Sequence, residues 1–228
     1  MAENTRMFMF THAGGNPWDY AKLFKSLKGV ELIPITLPGD VTNLHSKVLS
    51  SVEEYAEEAY KIITTQYGIE KPFILFGHSF GSYVSYELAK KLQTERLKLV
   101  ILSGCSPLHI NVDINLNNIE LLEKQNNEEL NKIIETINHN ILSQVKLVSR
   151  YRLEKYGMKS KIVNNKTKCC VLCGLKDPFA KNNEEWKEYF SKGKCKVEFF
   201  EGGHFYWNEY EKSKKNMIDT VQREIEMI

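Results

Sequence analysis

The sequence contains no long hydrophobic run, no internal repeat and no low-complexity tract. Its apolar stretches all fall short of the roughly 18–20 residues that span a bilayer, which excludes a transmembrane helix. Residues 1–10 lack a charged segment followed by a long apolar stretch and a cleavage site, so we expect no secretory signal. We therefore expect a cytoplasmic protein that does not associate with membranes.

Cysteine is also scarce, and its odd count of five favours free thiols in a cytoplasmic protein. Three of the five, Cys169, Cys170 and Cys173, lie in an apolar run that predicts a buried strand. Because alternate residues of a strand face opposite sides, these thiols do not converge on one metal ion. We expect them to be small buried hydrophobes, and we expect neither a metal nor a cofactor.

No charge of one sign dominates the chain. The net charge of +2 is too small to indicate nucleic-acid binding, which usually requires a clustered basic face. Hydrophobic residues make up 42% of the sequence and charged residues 26%, which is typical of a globular protein. A chain of 228 residues suits one domain, so we expect residues 1–228 to form a single domain and the protein to be a monomer.

Short apolar runs alternate with helical patterns along most of the chain. This alternation predicts an α/β fold with a mostly parallel sheet covered by helices on both faces. The expected strands are Met7–Phe10, Glu31–Ile35, Phe73–Phe76, Lys98–Ser103, Lys168–Cys173 and Lys196–Phe200. The expected helices are Trp18–Leu27, Ser51–Gln66, Phe80–Leu92, Asn183–Phe190 and Tyr210–Met227.

One long segment, residues 106–166, interrupts this alternation. It contains no convincing strand, and its apolar residues recur at helical spacing in two clusters, which predicts two or three helices. An insertion of this length in a compact domain is usually functional, so we interpret it as a helical lid over the active site.

A nucleophile motif follows the third expected strand. Gly77-His78-Ser79-Phe80-Gly81 fits the pattern G-x-S-x-G, and it stands between a buried-strand run and a helical pattern. This strand–turn–helix context is what a nucleophile elbow requires, because side chains in place of the two glycines would clash with the neighbouring backbone. The sequence therefore predicts that Ser79 is the nucleophile of an α/β-hydrolase fold.

A serine hydroxyl needs a base near neutral pH, and in this fold the base follows the last strand. His204, preceded by two glycines, is the histidine at that place. The acid should follow an earlier strand, and Asp177 lies in a turn just after the strand that ends at Cys173. The chain order serine, aspartate, histidine is the one expected for α/β-hydrolases.

The loop after the first strand is the expected place of the oxyanion hole. Thr11-His12-Ala13-Gly14-Gly15 resembles the glycine-rich loops that donate one backbone N–H to the tetrahedral intermediate. We expect Ala13 to supply this donor, with Gly14 as the alternative, and the N–H of Phe80 to supply the second.

These motifs together resemble those of the type II thioesterases of nonribosomal peptide and polyketide synthesis. The matching elements span most of the chain: Phe10 to Gly15, Leu37-Pro38-Gly39, Phe76 to Gly81, Ser103-Gly104, the turn from Gly174 to Asp177, and Gly202-Gly203-His204-Phe205. The resemblance implies a serine hydrolase that removes acyl groups from the phosphopantetheine arm of acyl or peptidyl carrier domains. It also implies that the inserted helices form a mobile lid.

Other functions of the same fold remain open on the sequence alone. A small-molecule carboxylesterase or lipase uses the same triad, and an acyl transferase or product-releasing thioesterase differs only in what captures the acyl-enzyme. The resemblance is also imperfect: Thr11, Asp40, Phe80 and Ser82 replace residues that are more common in the family.

Basic residues at the end of the insertion suggest where an acidic carrier domain would dock. The cluster comprises Lys146, Arg150, Arg152, Lys155, Lys159 and Lys161. An ordinary solvated face would look the same in sequence.

Overall fold

The computed structural model describes residues 5–92, 94–110, 119, 121–156 and 166–228. Six parallel strands form one sheet in the order β2-β1-β3-β4-β5-β6. Their bounds are β1 Thr5–Phe10, β2 Val30–Pro34, β3 Phe73–His78, β4 Leu97–Ser103, β5 Lys168–Gly174 and β6 Cys195–Phe200. All six predicted strands are present, which confirms the predicted α/β fold.

Six α-helices accompany the sheet in the part of the chain that the structure describes. They are α1 Pro17–Leu23, α2 Val52–Ile62, α3 Phe80–Lys91, α4 Glu128–Lys155, α5 Tyr206–Glu209 and α6 Glu211–Glu226. Helix α2 continues as a π-helical turn, Ile63–Tyr67, and the crossover from β5 to β6 holds a 3₁₀ helix, Asn183–Tyr189, where the sequence predicts an ordinary helix. Within the described ranges, no helix combines the length and hydropathy that crossing a membrane requires.

The sheet carries a hydrophobic core on each face. Helices α2 and α3 pack on one face, where Tyr55 and Val84 are fully buried. Helices α1 and α6 pack on the other, through Tyr20 and Val221. The alternation of side chains along β5 confirms the prediction for the cysteines: Cys169 and Cys173 lie in the first core, and Cys170 lies in the second.

The insertion differs from the prediction in its helix count. The two apolar clusters predict at least two helices, but within its described residues they belong to one helix, the 28-residue α4. The residues between the clusters, Asn138-His139-Asn140, include neither glycine nor proline, so nothing in the sequence ends the helix there. The segment before α4 is held by two asparagines of the helix, since Asn131 and Asn138 exchange hydrogen bonds with the backbone of Gln125 and Leu122.

The strand order identifies where a ligand would bind. The chain passes from β1 outward to β2 and then returns to β3 on the other side of β1. In open α/β sheets, ligands occupy the crevice at the carboxyl ends of the strands where the order reverses in this way. The loop after β1 and the turn after β3, which hold Ala13 and Ser79, both lie at this place.

Candidate active site

Ser79 occupies a sharp turn between β3 and α3. Its backbone adopts φ 54° and ψ −116°, which is costly for a residue with a side chain. A Cβ on Gly77 would lie 2.1 Å from the carbonyl oxygen of Gly81, and a Cβ on Gly81 would lie 2.4 Å from that of Phe10. Both glycines are therefore required by close backbone packing, as the motif predicts, and the strained turn presents Ser79 at the amino terminus of α3.

The structure brings His204 and Asp177 together. His204 Nδ1 lies 2.8 Å from Asp177 Oδ2, and the carboxylate side chain is fully buried. The other carboxylate oxygen accepts a hydrogen bond of 2.8 Å from the backbone N–H of Phe179. The two loops also meet through their backbones, because a Cβ on Gly174 would lie 2.0 Å from the carbonyl oxygen of Gly203.

The residue before Ser79 contacts this pair. The ring centroid of His78, the residue before Ser79, is 4.6 Å from that of His204. The backbone N–H of Ser79 donates to the carbonyl of Ser103 across 2.8 Å, which fixes the turn against β4. In the described part of the chain, no hydrogen bond joins the Ser79 hydroxyl to His204. Such contacts between nucleophile and base commonly form only once substrate is bound.

The loop after β1 forms a tight turn. Gly15 N–H donates to the carbonyl of His12 across 3.0 Å, and Gly14, the third residue of the turn, has φ +65°. These values are typical of a type II turn. The Gly14 N–H donates to the side chain of Gln144 across 2.6 Å, so it is occupied. Among the described residues, the backbone N–H groups of Ala13 and Phe80 have no acceptor.

Three histidines are packed together at the site. His78 is fully buried, its Nδ1 is 3.0 Å from the hydroxyl of Ser103, and its Nε2 has no partner among the described residues. Burial and the neighbouring His204 lower the pKa of His78 well below its usual value. Burial lowers the pKa of His12 to about 4. Both rings are therefore neutral near pH 7.

The basic cluster at the end of the insertion is only partly exposed: Lys146 and Arg150 are open to solvent, whereas Arg152 is buried. Arg152 is 5% exposed, and it donates to the hydroxyl of Tyr83 and to backbone carbonyls. It follows Val148 by four residues and so shares the buried face of α4. Lys155 pairs with Glu53 across 2.8 Å, whereas Lys146 remains exposed. Lys159 and Lys161 lie outside the described residues.

Gln144 is a site residue that the sequence analysis missed. Its carboxamide is fully buried on α4 and contacts both the turn after β1 and the loop after β2. Its spacing could have indicated burial. Gln144 lies four residues after Asn140 and four residues before Val148, on the helix face that packs inward. A polar side chain in a buried stripe usually has a specific hydrogen-bonding role.

One group of side chains has the composition of a metal site. In the described ranges, His109, Glu185 and Glu188 bring possible ligand atoms within 4.8 Å of one another. His109 already lies 2.5 Å from Glu185 and 2.8 Å from the hydroxyl of Tyr189, so its ring nitrogens have protein partners. None of the predicted site residues belongs to this group.

Comparison with known proteins identifies a family and relatives that this chain resembles. Residues 5–225 match the family model described as the thioesterase domain. The chain is 28% identical over 218 residues to the thioesterase TesA of Mycobacterium marinum, covering 89% of this chain and 85% of that one. It is also 28% identical over 218 residues to the human medium-chain S-acyl fatty acid synthase thioesterase, covering 88% and 80% of the two chains.

A solved structure gives the same result for the fold. The type II thioesterase BorB from the borrelidin biosynthetic cluster superimposes with a TM-score of 0.71, covering 99% of this chain and 94% of that one. At 17% sequence identity, this similarity establishes a shared fold. The family model and the solved structure therefore agree on the α/β architecture of this chain.

Proposed function

This chain belongs to the thioesterase domain family, and we propose that it hydrolyses acyl thioesters carried by synthase carrier domains through Ser79, His204 and Asp177. The observation that carries the assignment of roles is the 2.8 Å contact between His204 Nδ1 and Asp177 Oδ2 beside the strained turn of Ser79. Hydrolysis of a thioester is the activity of the family, whereas the residue roles and the carrier substrate are our proposal.

His204 acts as the general base in this mechanism. Asp177 accepts the Nδ1–H bond, which leaves Nε2 free to take the proton of the Ser79 hydroxyl as the oxygen attacks the thioester carbonyl. The carbon–sulfur bond then breaks, and the imidazolium returns the proton to the leaving thiol. Water, activated by the same histidine, hydrolyses the acyl-enzyme and releases the acid.

Two backbone donors stabilise the negative charge that develops on the carbonyl oxygen. The N–H of Phe80 is the first of α3, and the helix terminus favours an anion at this point. The N–H of Ala13 is the second donor, since the neighbouring Gly14 N–H is bonded to Gln144. A donor of this kind typically contributes about 3–4 kcal/mol to the transition state.

The substrate class follows from the relatives and from the motifs of the sequence. One relative is named as a fatty acid synthase thioesterase, and the similar solved structure is a type II thioesterase from a biosynthetic cluster. The resemblance to the type II thioesterases implies acyl groups held as thioesters on carrier domains, and we propose an editing role of this kind for the chain. The five cysteines are free thiols, which supports a reducing, cytoplasmic location.

The test of this proposal uses carrier domains loaded with acyl groups of several lengths. The wild-type protein should release the acyl group while Ser79→Ala does not, as read by the intact mass of the carrier. The matched control is Ser143→Ala, since Ser143 lies on α4 and has no assigned role in the reaction. Release by the Ser79→Ala variant at the wild-type rate would remove Ser79 from the mechanism.

A further inference from the structure

We infer that Gln144 is a positioning residue for catalysis: from α4 it holds the turn at residues 12–15 that supplies the Ala13 oxyanion donor. This inference rests on the proposed function, because it assumes that the Ala13 N–H faces the reacting carbonyl. It extends that function by assigning a role in the chemistry to the inserted helix.

Both the oxygen and the nitrogen of the Gln144 carboxamide form hydrogen bonds. Its Oε1 accepts the Gly14 N–H across 2.6 Å, and its Nε2 donates to the carbonyl of Pro38 across 3.2 Å. The same Nε2 lies 3.3 Å from the hydroxyl of Tyr55, which itself donates to the Pro38 carbonyl across 2.8 Å. This fully buried side chain therefore connects α4 to the loops after β1 and β2 and to α2.

The bond to Gly14 selects one form of the turn. Gly14 N–H belongs to the central peptide of the His12–Gly15 turn, between Ala13 and Gly14. Types I and II differ in which way this peptide faces, and only type II requires the positive φ that Gly14 has. An acceptor at Gln144 therefore stabilises the observed orientation, and without it a buried N–H is left unpaired.

Packing of α4 on the turn supports the same role. A Cβ on Gly14 would lie 2.3 Å from Cγ1 of Ile141, so the Ile141 side chain packs against the turn at the position where only glycine leaves room for it. Ile141 precedes Gln144 by three residues, and both side chains therefore reach the turn from one side of α4. Movement of α4 away from the sheet would break the Gln144 bond, which couples the position of the inserted helix to the oxyanion donor.

The experiment measures chemistry at Ser79 without any thioester. A small fluorophosphonate phosphonylates Ser79: its hydroxyl oxygen bonds to phosphorus, fluoride leaves, and the proton passes to His204. The phosphoryl oxygen gains charge during this step, so the labelling rate constant depends on the same backbone donors. Gln144→Met preserves the size of the side chain and removes both hydrogen-bonding ends, and Asn138→Leu is the matched control on the same helix.

We expect Gln144→Met to lower the labelling rate constant about 10- to 100-fold while one label per chain is still reached. A merely structural loss would reduce the number of labelled chains instead of the rate constant. With a small acyl thioester, kcat should fall and KM should change less than about twofold. Asn138→Leu, which loses only the bonds to the Leu122 backbone, should label at the wild-type rate.

Hydrogen exchange tests the inference in the wild-type protein, so misfolding of a variant cannot affect the result. The Gly14 amide should exchange with deuterium at least about 10-fold more slowly than the Ala13 amide, which has no acceptor among the described residues. Equal exchange of the two amides, wild-type labelling by Gln144→Met, or an equal loss in Asn138→Leu would each overturn the inference. Failure to release acyl groups from carriers would contradict the proposed function alone.

Discussion

His204 donates its Nδ1–H to Asp177 across 2.8 Å, although the two residues stand 27 positions apart and follow different strands. The carboxylate is held in place by a second bond from the Phe179 N–H. When Nδ1 carries the proton of the neutral ring, the lone pair lies on Nε2. The geometry therefore fixes the tautomer that a general base requires.

Asp177→Asn should lower kcat about 10³- to 10⁴-fold, because an amide that donates to Nδ1 favours the wrong tautomer of His204. Folding should be retained, since the amide keeps the shape of the buried side chain. The measurement is steady-state hydrolysis of a small acyl thioester, with far-UV circular dichroism as the control for folding. Full activity of this variant would mean that another group orients His204.

Ser79→Ala and His204→Ala should each lower kcat by at least about 10⁴-fold, and the double variant should lose little more. The reason is that the hydroxyl and the base act as one unit, so removing either removes the nucleophile. Kinetics of the two single variants and the double variant test this. Losses that multiply would show that the two residues act independently.

Gly77→Ala should lower the free energy of unfolding by about 2–3 kcal/mol and abolish labelling of Ser79, because the new Cβ would collide with the Gly81 carbonyl. The control is Gly29→Ala, where the new Cβ meets open space and the cost comes only from the positive φ of Gly29. The control should cost about 1 kcal/mol and leave labelling intact. Urea unfolding measures the free energy of unfolding of both variants, and fluorophosphonate labelling measures the reactivity of Ser79.

Acid should destabilise the fold through His12. Its pKa is about 4 in the folded protein and about 6.5 when unfolded, so the unfolded chain binds more protons between these values. Stability is therefore lost as the pH falls below 6.5, by about 2 kcal/mol from this group at pH 5. Urea unfolding at pH 7 and pH 5 should show a smaller difference for His12→Asn than for the wild type. An equal difference would contradict the assignment to His12.

Carrier-bound thioesters should be hydrolysed with a higher kcat/KM than the same acyl group on coenzyme A, because docking adds binding energy remote from the carbonyl. Lys146 is exposed on the carboxyl-terminal half of α4, and Lys146→Glu should slow only the carrier-bound reaction, about 2- to 10-fold at low salt. Lys132→Glu, on the same helix, is the matched control. If the lower rate of the Lys146→Glu variant on carrier-bound substrate persists at high salt, its cause is not electrostatic docking.

The strands, the nucleophile turn and the order of the site residues could all be predicted from the sequence. Ser79, Asp177 and His204 each follow a strand, and parallel strands place their carboxyl ends at one edge, so local patterns were sufficient. The contact between His204 and Asp177 is the result of that rule, applied to two loops far apart in the chain.

Two features of α4 escaped the sequence analysis for a common physical reason. Arg152 was assigned to a surface and Gln144 was not singled out, because both are polar residues on a helix whose neighbours were unknown. The structure buries both, with Arg152 bonded to Tyr83 and Gln144 bonded to Gly14. Burial of a polar side chain depends on partners from elsewhere in the fold, and residue type alone does not reveal them.

The most direct test of the central claim is the intact mass of an acylated carrier domain after incubation with the protein. We expect the wild-type protein to release the acyl group from the phosphopantetheine arm, the Ser79→Ala variant to leave it in place, and a small oxyester to be a poorer substrate. A carrier that keeps its acyl group while the oxyester is hydrolysed at Ser79 would contradict the account and indicate a small-molecule esterase on the same fold.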